Sequence, residues 1–508
     1  MKIKDLQAAL AGATLQGDGD IEITGVEYDS RSTYPGALFA AVRGLAADGR
    51  KYIPQALASG AAAVLADAPL DREFDVPVIM VPDVREAMAL AAAAVHGRPG
   101  KSLTLVGVTG TNGKTTNCYL IEAILTKAGF CTGVIGTVEV RRPGFALAAD
   151  RTTPEGPDLQ KFLADMKRAG VTHVVMEAAS HGLVLSRLAG LEFDAAVFTN
   201  LTQDHLDFHQ DMESYFQAKK ILFERLLKPW SPGSPPRAAV NLDDPFGRRL
   251  AGELGPAALT YSLAEKADLF AREFHTGRSG VKAVFDFPGG EIEIDSPLIG
   301  ELNVFNLISA FGAGLALNLR PETIKAGLES AAGVPGRLER IGRRDDALVL
   351  VDYAHTPGAL TSVLTAVRNL RPHKLITVFG CGGDRDKTKR PLMGKAVGEL
   401  SDVCIVTSDN PRTEDPLAII ADVEKGLESM GLVRSYPLGT SNSLDSRSFL
   451  VFPDRREAIR QGVRMLGPRD ILVIAGKGHE DYQVLGREKI HFDDREEARL
   501  ALAAEGKA

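Results

Sequence analysis

The chain has 508 residues, 44% hydrophobic and 25% charged, which excludes a wholly disordered or fibrous protein. At about 150 residues per domain, it holds roughly three. Its 59 Lys and Arg against 66 Asp and Glu give a net charge of −7, which argues against a broad basic surface for nucleic acid or anionic membrane but leaves room for a local anion site.

Cys118, Cys131, Cys381 and Cys404 fall in no C-x-x-C pair, so no disulfide framework is expected and a reducing cytosol fits. The first residues lack the apolar run of a signal peptide. No stretch reaches about 18 uninterrupted apolar residues, so no transmembrane helix and a cytoplasmic location are expected.

In chain order, the first hundred residues mix short strands and helices. Strand-like runs fall at 22–27, 37–42, 61–66 and 76–81. Asp83 is placed to cap an Ala-rich helix that ends near Gly97-Arg98-Pro99-Gly100, a candidate domain boundary. From Leu103, the apolar strands LTLVGVT, HVVME and AAVFT alternate with helical segments. That alternation predicts a parallel sheet covered on both faces. Residues 228–237, rich in Pro, Ser and Gly, predict a surface loop. Residues 281–287 and 291–295 predict a hairpin around Pro288-Gly289-Gly290, and 303–318 a helix. A second alternating stretch begins near Leu348, with strands LVLV, LITVF, VCIVT and ILVIA and a Ser-rich loop at 436–447. The fold class is therefore α/β in three domains: 1–98, a central phosphate-loop doubly wound sheet at 99–336, and a Rossmann-like α/β domain at 337–508.

The strongest motif is Gly107-Val108-Thr109-Gly110-Thr111-Asn112-Gly113-Lys114-Thr115-Thr116, between a strand and a helix. Glycines let backbone N–H groups wrap a polyphosphate, and the helix N-terminus adds favourable partial charge. Lys114 supplies a cation for the β- and γ-phosphates, and Thr115 a hydroxyl for Mg²⁺. The strict pattern G-x-x-x-x-G-K-[ST] has glycine where this chain has Val108, so a variant loop is expected. By itself such a loop leaves motor, kinase, GTPase and ligase open.

Glu177 ends the strand HVVME, where a carboxylate could hold Mg²⁺. Asn200-Leu201-Thr202-Gln203-Asp204-His205-Leu206-Asp207-Phe208-His209 packs two His and two Asp into one loop, readable as a metal site or as a polar, hydrogen-bonded loop. Thr152-Thr153-Pro154-Glu155 precedes a helix, and the plainer reading is an N-cap with Pro at the first helical position.

Together with RTTP, MEAASHGL, the helix carrying Ala218-Lys219, ELNVFNL, GRLE, VDYAHTP, FGCGGDRDKTKRPLM, DNPRTEDP and AGKGHE, these residues resemble the Mur ligases of peptidoglycan synthesis over essentially the whole chain. The resemblance implies an ATP- and Mg²⁺-dependent ligase. Its substrates would be UDP-N-acetylmuramoyl-L-alanyl-D-glutamate and meso-diaminopimelate, joined through an acyl phosphate on the D-glutamate carboxylate. A monomer with no nucleic-acid partner is expected.

The resemblance also implies the roles of individual residues. Lys114, Glu177, His205 and Lys219 form the catalytic set, with Glu177, His205 and Thr115 on metal and Lys219 a carbamylated lysine contacting a second Mg²⁺. Without the resemblance, Lys219 reads as one of two adjacent surface lysines. ATP contacts are Gly110, Thr111, Asn112, Gly113, Lys114, Thr115, Thr116, Asn303, Arg337, Asp352 and His355, where Asn303 reads more plainly as an N-cap. Ser30, Arg31, Thr152, Thr153 and Arg187 hold the UDP substrate. Arg385, Asp409, Asn410, Pro411, Arg412, Gly476 and Glu480 hold diaminopimelate. Three positions depart from relatives: Ala179 and Leu185 stand where some carry serine and glutamine, and Arg151 where some carry asparagine.

Diaminopimelate is lysine with a carboxylate on its far carbon, so a selective pocket needs a cation there, and Arg412 offers a planar fork. A lysine-adding ligase, a folate polyglutamylating enzyme and an ATP-binding regulatory protein remain the rival readings. Arg412 argues against the first, and the YDSR and DNPR segments argue against the second.

Overall fold

The computed structural model describes residues 1–44, 47–344, 347–435 and 448–506. The chain divides into two compact units. One comprises Met1–Glu273, Val284–Ile294 and Phe305–Ser330; the other comprises Phe274–Ala283, Asp295–Val304 and Ala331–Ala508.

In the first unit, a five-stranded sheet runs Thr14–Gln16, Val78–Met80, Ala63–Ala66, Ala37–Ala40, Gly25–Glu27. The four expected strands are all present, each shorter than its apolar run. Asp83 caps the helix Val84–Val95 by accepting from the N–H groups of Arg85 and Glu86. The helix Ile3–Ala9 was not foreseen; only Ile3 and Leu6 are buried along it, too few for a visible period.

An eleven-stranded sheet follows. At its centre, Ala195–Phe198, Thr104–Thr109, His173–Glu177 and Thr132–Ile135 lie side by side and parallel. Leu105, Val106, Val108, Val174 and Val175 are fully buried, as a sheet covered on both faces requires. Glu139–Arg142 and Phe145–Ala148 add an antiparallel edge. Residues 228–237 form no helix or strand. The expected hairpin is Gly280–Phe287 with Gly290–Ser296, and the expected helix spans Glu301–Ala316.

In the second unit, a seven-stranded sheet runs Glu339–Arg344, Ala347–Asp352, Ile471–Ala475, Leu375–Phe379, Val403–Thr407, Ser448–Phe452, Val433–Ser435. Every pairing is parallel except the first. Helices Pro357–Arg368, Lys389–Leu400 and Pro416–Glu428 bury Leu364, Val397 and Val423 in one core. Helices Arg455–Arg464 and Asp494–Ala504 bury Ile459 and Leu502 in a separate core on Val349, Val378 and Ile474. The unit is doubly wound, as its alternating sequence implies. The expected loop at 436–447 lies outside the described residues. Among the described residues, no helix is long and apolar enough to cross a membrane.

Candidate active site

The strand Thr104–Thr109 and the helix Lys114–Lys127 leave only four residues for the loop between them, and its glycines make that possible. Gly110 has φ +144 and Gly113 φ +84. A Cβ on Gly110 would lie 1.8 Å from Thr199 Oγ1, and one on Gly113 2.6 Å from Asn306 Oδ1. Val108 is fully buried inside the strand, between Glu177 and Val197 in register. The turn begins after it, so that position needs no glycine.

The loop is tied to the end of the neighbouring strand. Thr111 N donates to Asn200 O at 2.8 Å, and Asn112 N to Asn200 Oδ1 at 2.9 Å. Thr199 Oγ1 donates to Asn112 O at 2.6 Å. Lys114 Nζ donates to the carbonyls of Gly110 and Thr111 at 3.0 and 2.9 Å. Thr115 and Thr116 are buried in the first turn of the helix.

Lys219, on the helix Met212–Ile221, is 1% exposed, which corrects the surface-lysine reading. Its Nζ donates to Gly110 O at 2.8 Å and sits 4.4 Å from the Tyr215 ring centroid. Burial, and then the nearby Lys114 charge, push its proton affinity well below that of an ordinary lysine.

Glu177 is 1% exposed and almost fully hydrogen-bonded. Oε1 accepts from Thr115 Oγ1 at 2.9 Å and Thr137 N at 2.8 Å, and Oε2 from Thr137 Oγ1 at 3.0 Å. Three donors leave a carboxylate one further acceptor direction. Thr137 escaped the sequence reading because a lone threonine after a strand carries no motif.

Thr152 and Thr153 are not caps. The helix Gly156–Arg168 has Glu155 at its N-cap, with no side-chain cap bond. Thr152 Oγ1 lies 3.0 Å from Thr137 Oγ1. Thr153 Oγ1 donates to Glu177 O at 2.7 Å and accepts from Ala179 N at 3.0 Å. Arg187 donates from Nη1 to Thr153 O at 2.9 Å and pairs through Nη2 with Glu155 Oε1 at 2.7 Å. Arg151 reaches the same carboxylate oxygen at 2.9 Å. Leu185 ends the short helix Ser180–Val184.

His205 has φ +53 and opens the short helix Leu206–His209. Its Nε2 is 3.6 Å from Asp204 Oδ2, and its ring meets His181 edge-on at 4.9 Å. His209 is buried, with Nε2 2.9 Å from Ser180 Oγ and its ring stacked on Tyr215. Elsewhere in this unit, Ser30 is buried and donates to Gln55 Oε1 at 2.9 Å, whereas Arg31 is exposed and paired with Asp29.

In the second unit, Asp352 ends its strand and accepts from the N–H groups of Leu338 and Ala354, each at 2.8 Å. Burial pushes its carboxyl upward. Arg337 lies over the Tyr353 ring at 4.9 Å; Tyr353 also meets His355 at 4.7 Å and His479 at 5.0 Å. Asn303 is the third residue of the helix Glu301–Ala316, inside it and not at its N-cap, and its Nδ2 donates to Ile299 O at 2.8 Å.

Asp409, Asn410, Pro411 and Arg412 follow the strand Val403–Thr407. Asn410 Nδ2 donates to Glu480 Oε2 at 3.0 Å. Gly476 has φ +120, and a Cβ there would lie 2.6 Å from Asp409 Oδ2. These residues therefore form one cluster. Arg412 Nη1 donates to Gly383 O at 2.6 Å. Arg385 is exposed and donates to Asp384 O at 3.2 Å, and Asp384 in turn accepts from Thr413, the residue after Arg412. Desolvation raises the Glu480 carboxyl. Lys477, fully buried in the cluster, went unassigned although it lies inside the AGKGHE motif.

A Gly-Lys-Thr turn at the carboxyl end of a parallel sheet, its threonine facing a carboxylate from the adjacent strand, defines a phosphate-loop α/β protein. Comparison with known proteins narrows the class. Residues 22–96 match the model "Mur ligase family, catalytic domain", 108–314 "Mur ligase middle domain" and 336–478 "Mur ligase, glutamate ligase domain". The chain is similar to a Gloeobacter violaceus protein named UDP-N-acetylmuramoyl-L-alanyl-D-glutamate--2,6-diaminopimelate ligase, at 48% identity over 99% of this chain and 98% of that one. A Geobacter metallireducens protein of the same name is 44% identical, with the same coverage. A solved structure of a ligase so named aligns with a TM-score of 0.70 at 33% identity, over 100% of this chain and 99% of the other. The chain belongs to the Mur ligase family, ATP-dependent enzymes of peptidoglycan synthesis that form amide bonds.

Proposed function

We propose that the protein joins meso-diaminopimelate to the D-glutamate of UDP-N-acetylmuramoyl-L-alanyl-D-glutamate. The observation that carries this is the Asp409–Arg412 loop. It offers a guanidinium at Arg412 together with a carboxylate at Glu480, held by Asn410 at 3.0 Å. The far end of diaminopimelate is itself an amino acid, with one carboxylate and one ammonium, whereas lysine ends in an ammonium alone. The full-length relatives named as diaminopimelate ligases support the same choice.

Three functional domains are proposed, at 1–98 for the UDP end, 99–336 for ATP and 337–508 for the amino acid. Support comes from the sheets, none of which crosses a boundary: one in each of the first two spans, and a seven-stranded and a two-stranded sheet in the third. In the first, Ser30 and Arg31 would meet the uracil nucleotide, with Thr152, Thr153 and Arg187 further along the substrate. Gly110, Gly113 and Thr116 would direct backbone N–H groups at the phosphates, Thr111 and Asn112 would hold the loop's shape through their bonds to Asn200, and Lys114 would neutralise the phosphates once its carbonyl contacts exchange. Asn303, Arg337, Asp352 and His355 are the remaining proposed nucleotide contacts.

Magnesium fits this site: Thr115 and Glu177 already face each other at 2.9 Å and supply oxygen donors, with His205 as a further candidate. When bound, the metal would screen the phosphates from the attacking carboxylate. Lys219, whose buried amine favours the neutral form, meets the condition for adding CO₂ to give a carbamate. The D-glutamate carboxylate takes the γ-phosphoryl group of ATP. The diaminopimelate amine then attacks the acyl phosphate, and phosphate leaves as the amide forms.

The test is the purified protein with ATP, the UDP-muramyl-dipeptide and Mg²⁺, with and without meso-diaminopimelate. ADP and a new amide in equal amounts, only when both co-substrates are present, is the expected result. ADP accumulation without amide would overturn the reading.

A further inference from the structure

Lys477 has no assigned role, yet it is fully buried in the proposed diaminopimelate cluster. Its Nζ lies 3.2 Å from Asn410 Oδ1, 3.4 Å from Glu480 Oε2 and 3.7 Å from Asp409 Oδ1. Asn410 Oδ1 also accepts from Val484 N at 2.9 Å. With its oxygen engaged by two donors, the amide must turn Nδ2 toward Glu480, and it does so at 3.0 Å. One ammonium thus orients the amide and contacts the carboxylate that the amide serves.

We propose that Lys477 is a positioning residue for the amino-acid substrate, which fixes Asn410 and holds Glu480 as a carboxylate for an incoming ammonium group. This rests on the reading of the site given above.

The surroundings make the charge matter. Desolvation and then the Asp409 charge raise the Glu480 carboxyl, while Lys477 and the Asn410 amide lower it. The other groups that act on Glu480 or respond to it are Tyr353, Tyr482 and Arg455. Arg455 is already engaged by both oxygens of Asp494 at 2.7 Å. Lys477 is therefore the cation in contact with Glu480 among the described residues. Remove it, and Glu480 takes up a proton more readily and loses its attraction for an ammonium.

The experiment is steady-state kinetics on the full chain, with ATP and UDP-muramyl-dipeptide saturating and meso-diaminopimelate varied across pH. Lys477→Met should raise the diaminopimelate KM most at the acid end of the working pH range, by up to about tenfold for each pH unit by which Glu480 ionisation is displaced. That rise should shrink as pH increases and Glu480 ionises again, while kcat and the ATP KM stay close to wild type. In a Glu480→Gln background, the same replacement should leave the diaminopimelate KM nearly unchanged. Lys477→Arg, which keeps a cation, should keep a KM that is flat with pH, and with the comparison in the Glu480→Gln background it decides the matter should Lys477→Met not fold. An unaltered KM in Lys477→Met, a rise independent of pH, or an equal rise in the Glu480→Gln background overturns the proposal. If the wild-type chain does not add diaminopimelate at all, the functional reading fails instead.

Discussion

Replacing Arg412 with alanine separates a specificity role from a structural one. Arg412 sits at φ +52, a left-handed conformation that costs alanine about as much as arginine, so the backbone contributes little to the difference. The folded protein loses the bond from Nη1 to Gly383 O at 2.6 Å, about 1 kcal/mol for a partly exposed group. In a domain of this size, that lowers the melting temperature by about 2–4 °C. Loss of a charge-assisted bond to the distal carboxylate of the substrate should cost about 1.5–3 kcal/mol. In kcat/KM for meso-diaminopimelate, this is a fall of about 10- to 150-fold. Lysine lacks that carboxylate, so its low rate should not fall. The assay is amide formation with each amino acid, together with KM for ATP and for UDP-muramyl-dipeptide, which should hold. An equal fall for lysine and diaminopimelate, or no fall for either, refutes the reasoning.

Lys219→Met should abolish turnover while preserving the melting temperature, because it replaces a desolvated amine with an apolar side chain of similar length; activity in this variant would remove the carbamate role, and bicarbonate should stimulate the CO₂-depleted wild type but not the variant. Gly110→Ala should lower stability by about 1–3 kcal/mol and raise the ATP KM, since its Cβ would fall 1.8 Å from Thr199 Oγ1; a variant that melts and binds ATP like wild type would contradict the close packing of the loop. His479 is held at a pKa of about 4 by burial and Arg337, against 6.5 unfolded, so its contribution is present in full above pH 6.5 and is lost as pH falls toward 4. Denaturant unfolding at several pH values should show up to about 3 kcal/mol lost over that window in wild type, and much less in His479→Gln; parallel curves would count against it.

The parallel strands were legible because burial on both faces demands unbroken apolar runs, and Leu105–Val108 or Ile471–Ile474 carry them. The strand Phe145–Ala148 was not, because all of its residues are exposed and no alternation marks it. The turn between the strand Thr104–Thr109 and the helix Lys114–Lys127 could be read to the residue, since Gly110 and Gly113 answer a local backbone demand. Thr152 and Thr153 were misread for the opposite reason. A threonine before a helix looks like a cap in sequence, and only the fold brings Thr153 within 2.7 Å of the Glu177 carbonyl. The burial of Lys219 was equally invisible, because the identical side chain of Lys220 beside it instead pairs with Glu224 and Glu253 at 2.7 Å.

Two buried lysines show how partner sets divide the chemistry between the units. Lys477 lies among oxygens of Asp409, Asn410 and Glu480, the partners an ion-pairing cation requires. Lys219 has a backbone carbonyl, the face of Tyr215 and the charge of Lys114 nearby, with Asp204 acting only at a distance and no ion pair to a carboxylate among the described residues. That setting disfavours an ammonium and leaves an amine with a lone pair to react. On the proposed roles, a paired Lys219 would not take up CO₂, and an unpaired Lys477 would not hold Glu480. The sequence writes both residues with the same letter. The distinction lies in which carboxylates the topology brings within about 4 Å, the reach over which charges in a protein interior decide ionisation.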